Sequence, residues 1–189
     1  TPSRTLVESA LKALDRMSHR GAVGADGKSG DGCGILMQRP EKFLRHVAAQ
    51  AGIRLGPGFA AGNVFLSRDT ERAERARTVL QEELARVEVH VAGWRVLPVD
   101  IEACGALAAE SLPKMEQLFV MPAAAMDQSS FQRSLFLARR RAEQRICSHQ
   151  QPSADRDFYV VTLSAHSIGY KAMVLPAALR QFYPDLTHS

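Results

Sequence analysis

The chain has 189 residues, of which 46% are hydrophobic and 23% charged, and it carries a formal net charge of +4. This length is enough for one domain, or for part of a larger one, with a real apolar core. Because the charges are interspersed and no apolar run is long enough to span a membrane, the composition argues against nucleic-acid-binding proteins and membrane proteins.

The first half of the chain is predicted to alternate between helices and strands. Apolar residues at helical spacing indicate an opening helix, for which Thr5 and Glu8 form a capping box and Gly21 is the stop signal. The predicted elements are a helix over 3–18, a short buried strand over 33–38, a helix opened by Pro40, a strand over 63–67 and a helix capped by Asp69.

The second half is predicted to continue the same alternation and to contain the longest helix. The order of elements between about 63 and 121 predicts an α+β unit inserted into a parent α+β fold. The predicted elements are a strand over 89–96, a helix over 103–112, a strand over 115–121, a helix over 129–148, a polar loop over 150–156, strands over 158–163 and 169–175, and a final helical turn or two over 176–183.

A glycine-dense stretch between Met17 and Leu36 is the most unusual feature of the sequence. Glycine adopts positive φ without a Cβ penalty and lets another backbone approach closely, so this density indicates a required backbone shape. The polar residues between the glycines include His19, Arg20 and Asp31. The glycines are Gly21, Gly24, Gly27, Gly30, Gly32 and Gly34.

Three familiar glycine motifs do not fit this stretch. A phosphate-binding P-loop and a dinucleotide-binding loop both follow a strand and open a helix, whereas this stretch follows a predicted helix and precedes a predicted strand. The spacing also fails, since Ala22 stands where the P-loop needs its first glycine. A calcium-binding loop that starts at Asp26 would need an oxygen ligand where Lys28 stands.

Several landmarks in the same order resemble the amino-terminal amidotransferase domain of bacterial glutamate synthase large subunits. Besides the glycine-dense stretch, they extend over nearly the whole chain. A run of such landmarks is far more specific than a single glycine loop. The segments are His19–Ala22, Gly24–Lys28, Gly30–Leu36, Ser111–Val120, Leu135–Arg141, Asp157–Val160, Tyr170–Met173 and Phe182–Leu186.

The resemblance implies a fold and a chemistry. It implies an N-terminal-nucleophile hydrolase, an αββα sandwich, in which an amino-terminal cysteine attacks the amide of L-glutamine. The α-amino group handles the proton, since its ordinary pKa of about 7.7–8.0 lies near neutrality. Glutamate is released, and the ammonia reacts with 2-oxoglutarate at a flavin site. FMN, the iron–sulfur cluster and the small NADPH-oxidising subunit belong to other parts of the family protein, and none is expected to bind this segment.

The sequence departs from the family pattern at both ends. Residue 1 is Thr followed by Pro2, where the family has a strand that opens with cysteine. The segments that bind glutamine and form the oxyanion hole in the family would follow Ser189. We therefore expect no catalytic residue and no certain substrate-binding residue within 1–189, and an inactive fragment. The alternative is a non-catalytic amidotransferase-like module kept for binding or assembly.

The resemblance implies that part of this chain forms a shell beside the active site. It assigns to that shell His19, Arg20, Gly21, Asp31 and Gly32. Within it, Arg20 has two interpretations. Its guanidinium can anchor a substrate carboxylate through two hydrogen bonds, or it can form a structural ion pair with Asp26 or Asp31.

The three cysteines and a group of arginines complete the candidates. Cys33, Cys104 and Cys147 are far apart and lack metal-binding spacing, which predicts reduced thiols in a cytoplasmic protein and no metal site. Cys33 in an apolar run is expected to act as a small hydrophobic side chain rather than as a substitute nucleophile. Arginines over 133–145 form a basic helix face, either solvated or docked on an acidic surface.

Overall fold

A computed structural model describes residues 3–148 and 155–187, and it describes Arg20 without its side chain. The helices are α1 (Arg4–Arg16), α2 (Glu41–Gln50), α3 (Thr70–Ala85), α4 (Ala106–Glu110), α5 (Gln128–Cys147) and α6 (Leu179–Phe182). The strands are β1 (Ser29–Gln38), β2 (Ala60–Leu66), β3 (Val89–Val96), β4 (Lys114–Pro122), β5 (Tyr159–Ser164) and β6 (Ser167–Val174).

The chain divides into two compact units. The first comprises residues 1–38, 98–112 and 169–189, and the second comprises 39–97 and 113–168. The first unit holds the glycine-dense stretch, and the second holds the larger sheet. The predicted α+β class is confirmed by these elements.

In the first unit, β1 pairs with β6. The pairing is antiparallel, because Gly30 lies against Val174 and Gly34 against Tyr170. A Cβ on either glycine would lie 2.6 Å from the facing carbonyl oxygen, so only glycine lets the two backbones come this close. A cluster of buried rings lies beside this pair, with the Tyr183 ring 5.1 Å from that of Tyr170.

In the second unit, four antiparallel strands form a sheet in the order β3-β4-β2-β5. Helices α3 and α5 lie against each other and against this sheet, because both have an apolar stripe at helical spacing. The side chains of this core are Ala60, Val64, Leu66, Ala73, Ala76, Leu80, Leu84, Val89, Leu118, Val120, Phe131, Leu135, Ala138, Ala142, Ile146, Phe158, Val160, Leu163 and Ala165.

The opening helix differs from its prediction at both ends. Ser3 is the N-cap and accepts a hydrogen bond from the Leu6 amide, so the predicted capping box on Thr5 was wrong. Glu8 instead pairs with Arg4 at 3.1 Å on the helix surface. The α-helix ends at Arg16, and a 3₁₀ turn follows before Gly21 stops it. The apolar stripe predicted the helix but not these ends, since caps depend on single side chains.

The first strand also differs from its prediction. β1 begins at Ser29, four residues earlier than expected, because the glycines before Cys33 allow pairing with β6. The expectation of a buried strand was wrong, since the residues of β1 from Gly32 onward alternate between exposed and half-buried, and Leu36 is 68% exposed. An alternating pattern is typical of a strand with only one covered face.

The region between about 63 and 121 contributes β2, β3 and β4 to one sheet, which also includes β5. The short helix α4 lies instead in the first unit, where it contacts β1. That this region is an insertion stays a prediction. Most of the predicted polar loop over 150–156 falls on residues 149–154, which lie outside the described residues. Thr1 and Pro2 lie outside them as well.

Candidate functional site

The predicted shell residues lie in or beside the 3₁₀ turn Ser18–Arg20 and at the start of β1. His19 is exposed, and its Nδ1 lies 3.1 Å from the Arg16 carbonyl oxygen, so the end of α1 satisfies this ring nitrogen. The side chain of Arg20 is outside the described residues, so both interpretations of Arg20 stay open. This contact with the backbone gives no support to a catalytic role for His19.

The structure brings Gly21 and Asp31 together. The Asp31 amide donates to the Ala22 carbonyl oxygen at 3.3 Å, and a Cβ on Gly21 would lie 3.0 Å from the Asp31 carboxylate. Gly32 has a φ of +113°, which side chains rarely adopt. Two of the predicted glycines therefore have a specific steric reason, and Asp31 lies exposed beside one of them.

Between these residues the chain makes a tight turn that closes on itself. The Gly27 amide donates to the Gly24 carbonyl oxygen at 2.9 Å, and the Gly24 amide donates to the Ser29 carbonyl oxygen at 2.8 Å. Val23 and Gly30 form an isolated β-bridge across the turn. Gly27 has a φ of +68°, as the sharp reversal requires.

The carboxylate of Asp26 is the hub of this turn. Its Oδ1 accepts hydrogen bonds from the Ser29 amide at 2.8 Å and from the Lys28 amide at 3.1 Å. Its Oδ2 accepts from the Ser29 hydroxyl at 2.6 Å and from the Leu107 amide at 3.0 Å. These donors, above all the Ser29 hydroxyl, hold the pKa of Asp26 well below its ordinary value.

The same geometry explains why this turn does not resemble a phosphate-binding loop. Such a loop offers several free backbone amides to an anion. Here the amides of Gly27, Lys28 and Ser29 are all occupied, the first by a backbone carbonyl and the other two by the Asp26 carboxylate. The Asp26 carboxylate therefore occupies amides that a phosphate-binding loop would leave free.

Asp26 and Ser29 also cap a helix that lies far away in the sequence. The N-cap residue of α4 is Gly105, which has no side chain to offer. The Leu107 amide donates to Asp26 and the Ala108 amide donates to the Ser29 hydroxyl at 3.0 Å, so the turn supplies the missing caps. Ser29 is only 6% exposed, so little water is available as an alternative partner.

Gly105 is required by this arrangement. A Cβ at this position would lie 2.3 Å from the amide nitrogen and the hydroxyl of Ser29, and 2.5 Å from Oδ2 of Asp26. These distances are far shorter than any van der Waals contact, so a side chain would push the turn away from α4.

The three thiols are not activated. Burial, together with the nearby charge of Asp31, raises the pKa of Cys33 to about 11, and its thiol donates to the Val174 carbonyl oxygen at 3.3 Å. Burial also raises the pKa of Cys104 and of Cys147. A nucleophilic cysteine needs a lowered pKa, so each of these side chains behaves as a small apolar group.

The basic face of α5 is partly neutralised. Arg139 and Arg140 both pair with Glu143, at 2.8 and 2.7 Å, and Arg145 pairs with acidic residues of α3. Arg133 is exposed and has no acidic partner within the described ranges. Most of the arginines named here therefore form ion pairs within the protein. For the other arginines of this helix, the geometry favours neither a solvated face nor a face docked on an acidic surface.

Comparison with known proteins settles the family. The model of the class II glutamine amidotransferases matches residues 1–189, the whole chain. The chain belongs to this family. Membership accounts for the α+β composition and the two antiparallel sheets of this amidotransferase chain, which are those of an N-terminal-nucleophile hydrolase of the amidotransferase type.

Curated relatives show which proteins of this family the chain is similar to. The amidotransferase chain is 37% identical over 187 residues to the glutamate synthase [NADPH] large chain of Azospirillum brasilense, covering 98% of this chain and 12% of the relative. It is 35% identical to the ferredoxin-dependent glutamate synthase 2 of Synechocystis and 30% identical to the glutamate synthase [NADPH] large chain of Bacillus subtilis, covering 98% and 96% of this chain. It spans 12% of the length of each of these two relatives as well.

Sequence reasoning missed the most connected residues of the site. Asp26, Gly27 and Ser29 carried a local signal, since an aspartate that precedes glycine and serine is typical of a turn in which the side chain binds the following amides. Nothing local pointed to Gly105.

Among the described residues, no three His, Cys, Asp or Glu side chains are grouped so as to hold a metal ion, and no helix there is long and apolar enough to cross a bilayer.

Proposed function

We propose that this chain is the glutaminase part of a glutamate synthase, which hydrolyses L-glutamine to glutamate and supplies ammonia for the reductive amination of 2-oxoglutarate. The observation that carries this proposal is the family match over the whole chain, together with relatives that are glutamate synthases. The turn at His19–Gly21 and the neighbouring Asp31 and Gly32 form the shell beside the reacting amide.

The attacking thiolate, in this proposal, comes from outside residues 1–189. Support comes from the chain's own cysteines, since the pKa of Cys33, of Cys104 and of Cys147 is raised and a raised pKa disfavours the thiolate. The glutamine-binding and oxyanion-stabilising segments are placed outside this range too, as the resemblance implies.

The remaining chemistry is proposed to lie in other parts of a longer protein. Since the chain spans 12% of the glutamate synthase relatives quoted above, most of such a protein is beyond it. We assign FMN and the iron–sulfur cluster to those parts, NADPH oxidation to a small partner subunit, and the whole assembly to the cytoplasm.

The test is a glutaminase assay on two proteins, residues 1–189 and a version extended at both ends by the residues that its gene encodes. We expect glutamate release from L-glutamine only by the extended version. Replacing Cys33, Cys104 and Cys147 together by serine in the extended version is the matched control, and it should retain turnover. Turnover by residues 1–189 alone would overturn the assignment of the nucleophile. Inactivity of both proteins would favour the non-catalytic binding or assembly module.

A further inference from the structure

We propose that Asp26, Ser29 and Gly105 are positioning residues, which hold the glycine-dense turn in the conformation needed for glutamine turnover by fastening it to α4. We call this set of three residues the α4 latch. The inference rests on the proposed function for its link to glutamine, and on the hydrogen bonds described above for its structural part.

Side-chain packing holds the turn only weakly. Of residues 21–28, only Gly24 and Asp26 are even half-buried, and Val23 is 59% exposed. Hydrophobic packing therefore contributes little to the conformation of the turn. Its backbone hydrogen bonds join it to the first residues of β1, and the bonds from the amides of Leu107 and Ala108 attach it in addition to a helix.

The latch is directly connected to the predicted shell. Ser29 begins β1, and the β-bridge and the Asp31–Ala22 hydrogen bond join the two arms of the turn. Gly21 lies at the far end of one arm, in contact with the Asp31 carboxylate on the other. We expect a displacement at Asp26 to be transmitted along the turn to Gly21 and its neighbours.

The hydrogen bonds of the α4 latch persist at ordinary pH. Four donors surround the Asp26 carboxylate, and its pKa lies below the ordinary range, so the side chain stays ionised and keeps all four bonds. We infer a permanent positioning device rather than a pH-sensitive switch.

The experiment compares Asp26→Ala with Asp127→Ala in the extended version. Asp127 is a matched control, because it too is an N-cap aspartate that accepts two backbone amides, but it caps α5 in the second unit. Two readouts are needed, the KM and kcat for L-glutamine and the hydrogen exchange of the amides of residues 21–31, 107 and 108.

For Asp26→Ala we expect faster exchange of those amides and a KM that rises about 10- to 100-fold while kcat changes little, since displacing the shell beside the reacting amide would weaken substrate binding. Asp26→Asn, which retains one acceptor oxygen, should recover part of the KM. Asp127→Ala should leave both the KM and this exchange pattern unchanged.

The outcomes separate the two ideas. Faster exchange in Asp26→Ala with a normal KM would overturn the positioning role, and unchanged exchange would overturn the latch itself. If the extended version has no glutaminase activity, the proposed function fails and the role in turnover fails with it, while the exchange data still decide whether the latch holds the turn.

Discussion

The buried carboxylate of Glu83 on α3 accepts a hydrogen bond from the Arg145 guanidinium on α5 at 2.7 Å. Glu83 is completely buried, whereas the Arg145 side chain is 39% exposed, so the arginine reaches in from the surface to neutralise a charge inside the helix pair. Arg86 donates to the same oxygen of Glu83 at 2.9 Å. A buried carboxylate without such partners would be strongly unfavourable.

We expect Arg145→Ala to lower the free energy of unfolding by about 1–3 kcal/mol, less than the full cost of an unpaired buried charge because Arg86 remains. Urea denaturation of the 189-residue chain measures the loss. Arg133→Ala is the matched control, since Arg133 is an exposed arginine of the same helix without an acidic partner in the described ranges, and its effect should stay within about 0.5 kcal/mol. Equal losses in the two variants would contradict the structural role of this ion pair.

Gly105→Ala is expected to be far more harmful than an ordinary glycine replacement in a connecting segment. The added Cβ would overlap Ser29 and Asp26, and such overpacking costs about 1–3 kcal/mol or displaces the turn. Gly56→Ala is the control, because its Cβ would meet only the sulfur of the flexible Met121 side chain, at 3.3 Å. Thermal melting of both variants checks this, and similar melting temperatures would argue against the tight contact at Gly105.

The lowered pKa of Asp26 predicts a specific dependence of stability on pH. Because the folded-state value lies below the unfolded value of about 3.9, the carboxylate stabilises the fold above that pH, and its contribution is lost as the pH falls through the folded pKa. The stability of Asp26→Asn should therefore depend less on pH in the acidic range than that of the unmodified chain. Parallel acid titrations of unfolding measure the difference, and identical curves would contradict the proposed hydrogen bonds.

Cys33 is expected to react slowly with alkylating reagents in the folded chain. Its pKa is raised to about 11 from an ordinary value of 9.0, so at neutral pH its thiolate fraction is about a hundredfold smaller than that of an ordinary thiol. Since the folded-state pKa is the higher one, stability contributed by the protonated thiol is lost as the pH rises from about 9 to about 11.

Mass spectrometry after treatment with iodoacetamide measures the reaction at Cys33, and the urea-denatured chain is the reference. We expect labelling of the folded chain to be slower by at least the factor that the pKa predicts, with burial slowing it further. Labelling of Cys33 at the same rate in the folded and denatured chains would show that the thiol is not buried and that its pKa is not raised.

Much of the secondary structure could be predicted because its signals are local. The apolar spacing along 129–148 predicted α5 to within one residue at each end, since the residues that face the core repeat every helical turn. The glycines on both sides of Cys33 marked a backbone of special shape, and Gly30 and Gly34 do lie against carbonyl oxygens of β6. Where a single side chain decides, as with Ser3 at the start of α1, the pattern chose the wrong residue.

The family could be predicted from the sequence, but the contacts within the candidate site could not. Landmarks in register pointed to an amidotransferase, and the family match bears this out. The bond between Asp26 and Leu107, however, joins residues 81 positions apart, and the reason for Gly105 lies entirely in the turn that contacts it. Spacing along a chain encodes periodic faces and short turns, whereas contacts between distant segments depend on how strands and helices pack in space. The pKa of Cys33 and the caps of α4 were therefore decided only when the chain was folded.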